Sequence, residues 1–409
     1  MNLFLLYIDP GTGSALFSIL IGTAAALYFL IRALTLKLKL FFSGGKKLTK
    51  TDNTSKFIIY SEGSQYWNLF KPVIEEFEKN KTEIRFLTSS SDDPVFDSSW
   101  EYIKPEFIGE GNKAYAYLNF ISAEILLMTT PGLHVYQLKR TKRIKHYSHV
   151  LHAASDATLY RLFGLDYFDS ILLTGDYQGN DIRFLEKQRE LPEKLLVTVG
   201  CSYLDTYYEK IKQIPNEDDH KFTVLVSPSW GPSGLLSLYG EKLLDPLSIS
   251  GFQIIIRPHP QSIKSEKLML DKLKARYINI NISWDFEREN IYSLKKADIM
   301  ISDFSGIMFD YIFLMDKPVL YISQNFDMRL YDADDLNHEL WQFKTIKEAG
   351  IELYEDDFLK ITDIINNAKD SEMLSSARKR ARNEAWFYPG EAGKRIFEFM
   401  TSTVNKNND

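Results

Sequence analysis

A single cysteine, Cys201, leaves no internal disulfide to form, so nothing in the chain calls for an oxidising compartment. It sits in Val199-Gly200-Cys201-Ser202-Tyr203 with no activating base beside it, so the thiol is not read as a nucleophile. A basic excess is missing too. The formal net charge of −6 argues against nucleic acid as a partner, although a net figure leaves room for a local basic patch. Histidine is scarce, with seven in the chain, which makes any cluster of them informative. No His cluster has an obvious Cys or carboxylate partner in sequence, and neither a metal nor a cofactor is expected. There is no internal repeat, and no low-complexity tail beyond Asn405–Asp409.

What is present is an ordinary globular balance of 44% hydrophobic and 25% charged residues over 409 positions, enough for two or three domains. From Gly11 to Ile31 the chain carries no charge and is largely apolar, and about 20 such residues cross the hydrocarbon core. No basic side chain precedes this run, which argues against a secretory signal peptide. Arg32, Lys37, Lys39, Lys46, Lys47 and Lys50 follow it. The positive-inside bias then predicts a single transmembrane helix in the cytoplasmic (inner) membrane, with the long carboxy-terminal part in the cytoplasm. A peripheral or buried helix is the competing reading.

Beyond a polar linker, Ser43 to Ser55, short apolar runs rich in β-branched residues alternate with segments of helical spacing. The predicted strands are Phe57–Tyr60, Ile84–Leu87, Ile125–Met128, Ile171–Thr174 and Leu196–Val199. After the polar stretch Ile211–His220 come Thr223–Val226, Phe252–Ile256, Ile299–Ser302 and Val319–Ile322. Helices are expected over Tyr66–Lys79 and Ser265–Ala275. The alternation predicts an α/β protein with parallel sheets of βαβ units in two α/β domains. The expected organisation is a membrane anchor with its basic flank at 1–45, a first domain at 55–215 and a second at 220–400.

Four places carry candidate chemistry. Ile254-Ile255-Ile256 runs into Arg257-Pro258-His259-Pro260, which delivers an Arg and a His at the carboxyl end of a buried strand, where α/β sheets bind ligands. Arg257 offers a permanently charged fork for phosphate, unless a structural carboxylate takes it. His259 offers a proton or hydrogen bond, unless it only caps a loop. The run Ser302-Asp303-Phe304-Ser305-Gly306 passes from a strand to a helix start near Ser305, where free N–H groups make an anion site, or the residues are an ordinary cap. His146, His149 and His152 place three of the seven histidines within seven positions; one of them suits a general base, and on a helix their spacing would also allow a metal. Trp230, in Trp230-Gly231-Pro232-Ser233-Gly234, lies on a loop expected to line the same cleft.

Taken in order, these elements resemble the CDP-glycerol glycerophosphotransferase family, the teichoic-acid primases and polymerases, over roughly Phe57 to Met400. Arg257-Pro258-His259-Pro260 is similar to that family's Arg-Pro-His-Pro. Ser302 to Tyr311, with Asp316-Lys317-Pro318, is similar to its Thr/Ser-Asp-Tyr-Ser-Ser-x-x-Phe-Asp-Tyr and following Lys-Pro. Ser227-Pro228-Ser229-Trp230 looks like its Pro-Thr-Trp. The amino-half signature departs: only His152-Ala153 stands where the family has His-Gly, its Lys is missing, and Gly306 replaces a second Ser.

The resemblance implies a GT-B fold of two Rossmann-like halves with a cleft between them, and transfer of glycerol phosphate or a related polyol phosphate from a CDP-activated donor. Its implied acceptor is a lipid-linked or polymeric cell-envelope chain, with release of CMP. It further implies donor binding by Arg257, Asp303, Ser305, Gly306 and Trp230, and catalysis by His152 and His259, with His149 as the alternative to His152. A GT-B glycosyltransferase using a nucleotide sugar, or a catalytically silent, membrane-tethered nucleotide-binding protein, are the other readings that stay open.

Overall fold

Runs such as Ile58-Ile59-Tyr60 and Ile254-Ile255-Ile256 are apolar at every position because each strand lies between two layers and buries both faces. In the computed structural model, which describes residues 55–215, 220–278, 281–287, 289–323, 328–369 and 371–406, they form two parallel sheets. The first contains β1 (Ser55–Ser61), β2 (Ile84–Thr88), β3 (Ile103–Phe107), β4 (Ala123–Met128), β5 (Ile144–Val150), β6 (Ser170–Leu173) and β7 (Leu195–Thr198). Its order is β3-β2-β1-β4-β5-β6-β7. The second contains β8 (Thr223–Val226), β9 (Gln253–Ile256), β10 (Ile282–Trp284), β11 (Ile299–Ser302), β12 (Val319–Tyr321) and β13 (Ile351–Glu352), ordered β10-β9-β8-β11-β12-β13. Both sheets run outward from their first strand and then reverse, between β1 and β4 and between β8 and β11. The crevice outside the carboxyl ends of the strands at such a reversal is where ligands bind.

Alternation along each strand divides the core into layers. Ile58 and Tyr60 pack on one face of the first sheet, Phe57 and Ile59 on the other. Ile254 and Ile256 face one layer of the second sheet, and Ile255 the other. The carboxy-terminal helix Ala392–Lys406 returns to the first sheet, burying Ile396, Phe399, Met400 and Val404 beside Phe57 and Ile59. Gly393 is required there: a Cβ would stand 2.6 Å from the Pro72 carbonyl oxygen. Asp205 fixes the turn before that helix by accepting from Trp386 Nε1 and the Gly390 and Ala392 amides.

The histidine-rich run does not form the helix on which its spacing would have allowed a metal. Ile144–Val150 is a strand, so His146 and His149 lie on opposite faces instead of along one helical stripe. His146 bonds Ser170 Oγ, while His149 packs against Tyr160 and Phe168. The helix expected over Ser265–Ala275 is present as Lys267–Arg276, preceded by a separate short helix, Pro260–Ser265. The apolar run Gly11–Ile31 and its basic flank lie outside the described residues. Among the described residues no helix is long and apolar enough to cross a membrane.

Candidate active site

The second sheet's reversal is organised by one carboxylate. Asp303, at the carboxyl end of β11, is buried and accepts from the Ser229 amide at 2.9 Å, Ser229 Oγ at 2.8 Å, the Leu235 amide at 2.9 Å and the Ser305 amide at 3.2 Å. It therefore ties together the loop after β8, the start of helix Leu235–Ser248 and the turn after β11. Burial pushes its pKa up, and these donors pull it back down. The Ser305 amide, expected to hold phosphate, is spent on Asp303. The amides of Gly306 and Ile307, the next two along, bond to no described residue and begin helix Ile307–Met315. Gly306 has φ −59, and a Cβ there would meet nothing within 4 Å, so the turn has room on its side-chain face.

Arg257 and His259 leave β9 toward the same edge, yet they do different things. Arg257 is buried; Nη1 bonds Asp285 Oδ2 at 2.5 Å and Nη2 the Glu287 carbonyl at 2.6 Å. Asp285 also accepts from Ser293 and holds its carboxyl below the usual range through these donors, against the opposing push of burial, the largest single effect. The alternative weighed for Arg257, pairing with a structural carboxylate, is what the geometry contains. His259 caps helix Pro260–Ser265: its Nδ1 accepts from the Gln261 amide at 3.0 Å. That contact puts the ring proton on Nε2, and burial lowers the pKa against the pull of Asp303 and Glu266. His259 is thus a neutral N–H donor half-open to the cleft. Trp230, 49% exposed, stands 6.4 Å from it, ring centroid to centroid, with 33° between the planes. Glu266 holds the Trp230 loop by accepting from the Gly231 amide at 3.2 Å. Of the second-half motif, Tyr311 and Lys317 serve the frame, both donating to the Ala297 carbonyl.

On the first lobe, His152 follows β5 and is half-buried. Its Nδ1 lies 2.9 Å from Thr129 Oγ1 and 3.0 Å from Tyr160 Oη. Tyr160 Oη is also 3.3 Å from His149 Nε2. With the proton on Nδ1, Thr129 and Tyr160 accept, Tyr160 donates to His149, and the His152 Nε2 lone pair is left free. Burial pushes the His152 pKa down to about 4, so the ring is neutral at neutral pH. His149 is fully buried, with no surface through which to meet a substrate hydroxyl. Thr129 and Tyr160 were not expected from the sequence; a polar pair, Thr129-Thr130, ending a buried strand was the one available sign of the first.

The two halves of the site are joined by the loop after His152. Ala154 packs in one cluster with Met308 and Phe309 of helix Ile307–Met315. Asp156 crosses to the second lobe and accepts from the Trp341 and Gln342 amides at 3.1 and 2.8 Å, capping helix Trp341–Ala349. Trp341 lies 5.3 Å from the Phe309 ring. His152 is therefore two residues from a side chain that shares a core cluster with the first turn of the helix that starts with these amides. Among the described residues no group of three or more His, Cys, Asp or Glu could hold a metal ion.

Residues 206–399 match the model of a family described as CDP-Glycerol:Poly(glycerophosphate) glycerophosphotransferase. That span holds Trp230, Arg257, His259, Asp303, Ser305 and Gly306 but not His152. Among solved structures, the chain is similar to the wall teichoic acid polymerase TagF at 14% identity and a TM-score of 0.60, covering 95% of this chain and 99% of that one. A variant of that polymerase with CDPG aligns with a TM-score of 0.56 at 14% identity, covering 95% and 99%. A UDP-GlcNAc 2-epimerase from Neisseria meningitidis bound to UDP-GlcNAc aligns at 15% identity and 0.51, covering 86% and 100%. No curated protein matches the chain in sequence. At these identities the structural likeness speaks for the fold, two Rossmann-like lobes. The family match bears out the resemblance read from the motifs.

Proposed function

From a chain that is CDP-glycerol glycerophosphotransferase-like over its second lobe and polymerase-like in fold, we propose a transferase that moves glycerol phosphate, or a related polyol phosphate, from a CDP-activated donor to a membrane-linked envelope polymer. The observation that carries the reading is the pairing of a neutral imidazole on one lobe with helix-start amides that bond to no described residue on the other, the loop after His152 crossing between the lobes at Asp156.

In this mechanism the donor's pyrophosphate lies on the Gly306 and Ile307 amides, with the dipole of helix Ile307–Met315 and the His259 Nε2–H meeting its charge. Trp230 offers an exposed ring face for the base. Arg257 acts as a positioning residue that fixes the strand carrying His259. An acceptor hydroxyl gives its proton to His152 Nε2 and attacks the β-phosphorus. A P–O bond forms to the acceptor, the bond to the bridging oxygen breaks, and CMP leaves with both bridging electrons. Positioning and charge stabilisation are what phosphoryl transfer chiefly needs.

The membrane part of the reading is supported by the uncharged run Gly11–Ile31 and the six cations that follow it, which favour an anchor with both lobes in the cytoplasm. The test is a panel of CDP-, UDP- and GDP-linked donors, scored by thermal shift and by released mononucleotide. CDP-glycerol should stabilise the chain and yield CMP on acceptor addition, in the presence of EDTA as in its absence. Stabilisation by a nucleotide sugar instead would move the assignment to glycosyl transfer.

A further inference from the structure

Both groups that meet His152 Nδ1, Tyr160 and Thr129, depend on one turn of the first lobe, Tyr160 to Gly164. Tyr160 begins it. The Gly164 carbonyl accepts from the Gly132 amide at 2.7 Å, which ties in the loop after β4, where Thr129 stands. The turn is closed on itself: a Cβ on Gly164 would lie 2.8 Å from the Tyr160 Cβ, so one end does not move without the other. Phe163, inside it, has φ 66, a left-handed backbone that a bulky side chain adopts only when its surroundings hold it there.

The other lobe does the holding. The residues after β12 lie against the turn, where the Leu162 amide donates to the Leu330 carbonyl at 3.2 Å and the Asp332 amide to the Tyr160 carbonyl at 2.9 Å. Arg161 and Tyr331 thereby form an antiparallel bridge. The Asp332 carboxylate, 2% exposed, accepts from the Phe163 amide at 2.7 Å and the Gly164 amide at 3.2 Å. Arg189, at the end of helix Tyr177–Gln188, keeps that carboxylate in place. Its Nη2 bonds Asp332 Oδ1 at 2.7 Å, its Nε bonds Asp335 at 3.1 Å and its Nη1 bonds Asp166 at 2.8 Å. The guanidinium carbon lies 4.9 Å from the Phe163 ring centroid, so one cation spans the carboxylates and the strained residue.

We propose that Asp332 is a positioning residue for the base: a carboxylate supplied by the donor lobe that, held by Arg189, fixes the turn from which Tyr160 and the Thr129 loop orient His152. A joint that only fastened the lobes would pair side chain with side chain. The same segment contains one of that kind, His338 Nε2 on Asp181 Oδ1 at 2.8 Å, with the His338 side chain 44% exposed. Asp332 instead takes two backbone amides of the turn itself, deep in the interface. The lobe that carries the donor site thus also sets the ring on the facing lobe. The inference rests on the reading of His152 as the base, whereas its spectroscopic test does not.

With seven histidines in the full chain, isotopic labelling of histidine gives a ring-nitrogen spectrum that is simple to read, and His152→Ala identifies the His152 signals. The wild-type ring should be a single tautomer with the proton on Nδ1. Asp332→Asn leaves one of the two turn amides without an acceptor and should convert the ring to a mixture of tautomers. In the same variant kcat should fall on the order of 10- to 100-fold, the effect of a misplacement of roughly 1 Å, while KM for CDP-glycerol is unchanged. Tyr160→Phe should give a similar mixture, and the double variant should lose less than the product of the two single losses. His338→Ala, which loosens the same segment away from the turn, should keep the wild-type ring spectrum and kcat. Should Asp332→Asn not fold, Arg189→Lys, which keeps the charge but not the fork, should give both changes in smaller measure. A single tautomer unchanged in the folded variant, or a kcat loss shared equally by His338→Ala, overturns the proposal. A wild-type ring protonated on Nε2, or no transfer with any donor, contradicts the base role instead. The positioning then stands or falls on whether Asp332→Asn breaks the single tautomer.

Discussion

Asp303 is the residue whose replacement the geometry prices most closely. Three backbone N–H groups from three segments, Ser229, Leu235 and Ser305, end on its two oxygens. In Asp303→Asn one oxygen becomes an NH2, and whichever way the amide turns it faces a donor. Facing Leu235 it orphans that amide; turned over, it orphans Ser305 while Ser229 keeps the remaining oxygen at 2.9 or 3.1 Å. One unsatisfied buried donor costs about 1–3 kcal/mol. Asp303→Ala orphans all three, of which Ser305 is partly open to water, so the expected loss is about 3–6 kcal/mol. Both variants should also loosen the loop carrying Trp230, raising KM for the donor more than they lower kcat. The assay is urea unfolding beside steady-state kinetics with CDP-glycerol. A wild-type unfolding midpoint together with wild-type KM in Asp303→Ala would refute the argument that this carboxylate builds the donor site.

Three further outcomes are expected. Arg257→Ala leaves Asp285 without its buried partner and should cost about 3–5 kcal/mol of stability, read by denaturant titration; weaker donor binding at unchanged stability would instead make Arg257 a direct ligand. Gly306→Ser, with open space at its Cβ and an ordinary φ, should leave unfolding within about 0.5 kcal/mol while changing donor KM; an unchanged KM would remove the pyrophosphate from that amide. For pH, burial lifts the Asp310 carboxyl to about 7, the Tyr203 hydroxyl bonding it at 2.9 Å. A folded pKa above the unfolded value favours folding below pH 3.8, the ordinary value of this carboxyl, and that benefit is lost as pH rises through about 7. Asp310→Asn should therefore stabilise the chain by up to about 4 kcal/mol at pH above 8 and not at acid pH, checked by thermal unfolding across pH.

How much of this the sequence disclosed depends on whether a signal is local. Ile254-Ile255-Ile256 reads as a buried strand because three branched apolar residues leave no polar face for a helix, and β9 is where it was expected. The strand β5 was missed because Lys145, His146, Ser148 and His149 interrupt it. Their polarity is met by partners remote in sequence, such as His146 and Ser148 on Ser170. The short edge strands β10 and β13 have too few residues to show a period. At the site, the residue types at Arg257, His259 and Asp303 were legible, but their duties were not. Asp285 lies 28 positions beyond Arg257, and Ser229 lies 74 before Asp303, so which groups are spent on the frame and which face the cleft emerges only in three dimensions. Tyr160 had no local mark at all.

The most direct test is His152→Ala in the full chain, with turnover and donor affinity measured side by side. A general base contributes roughly 10²–10⁴-fold, so CMP release should fall by that factor while CDP-glycerol still binds with its original Kd by calorimetry. With the ring held near pKa 4 by burial, wild-type kcat/KM should also stay level on the acid side until close to that pH. Near-normal turnover in the variant, or loss of donor binding in step with activity, would contradict the division of labour between the two lobes.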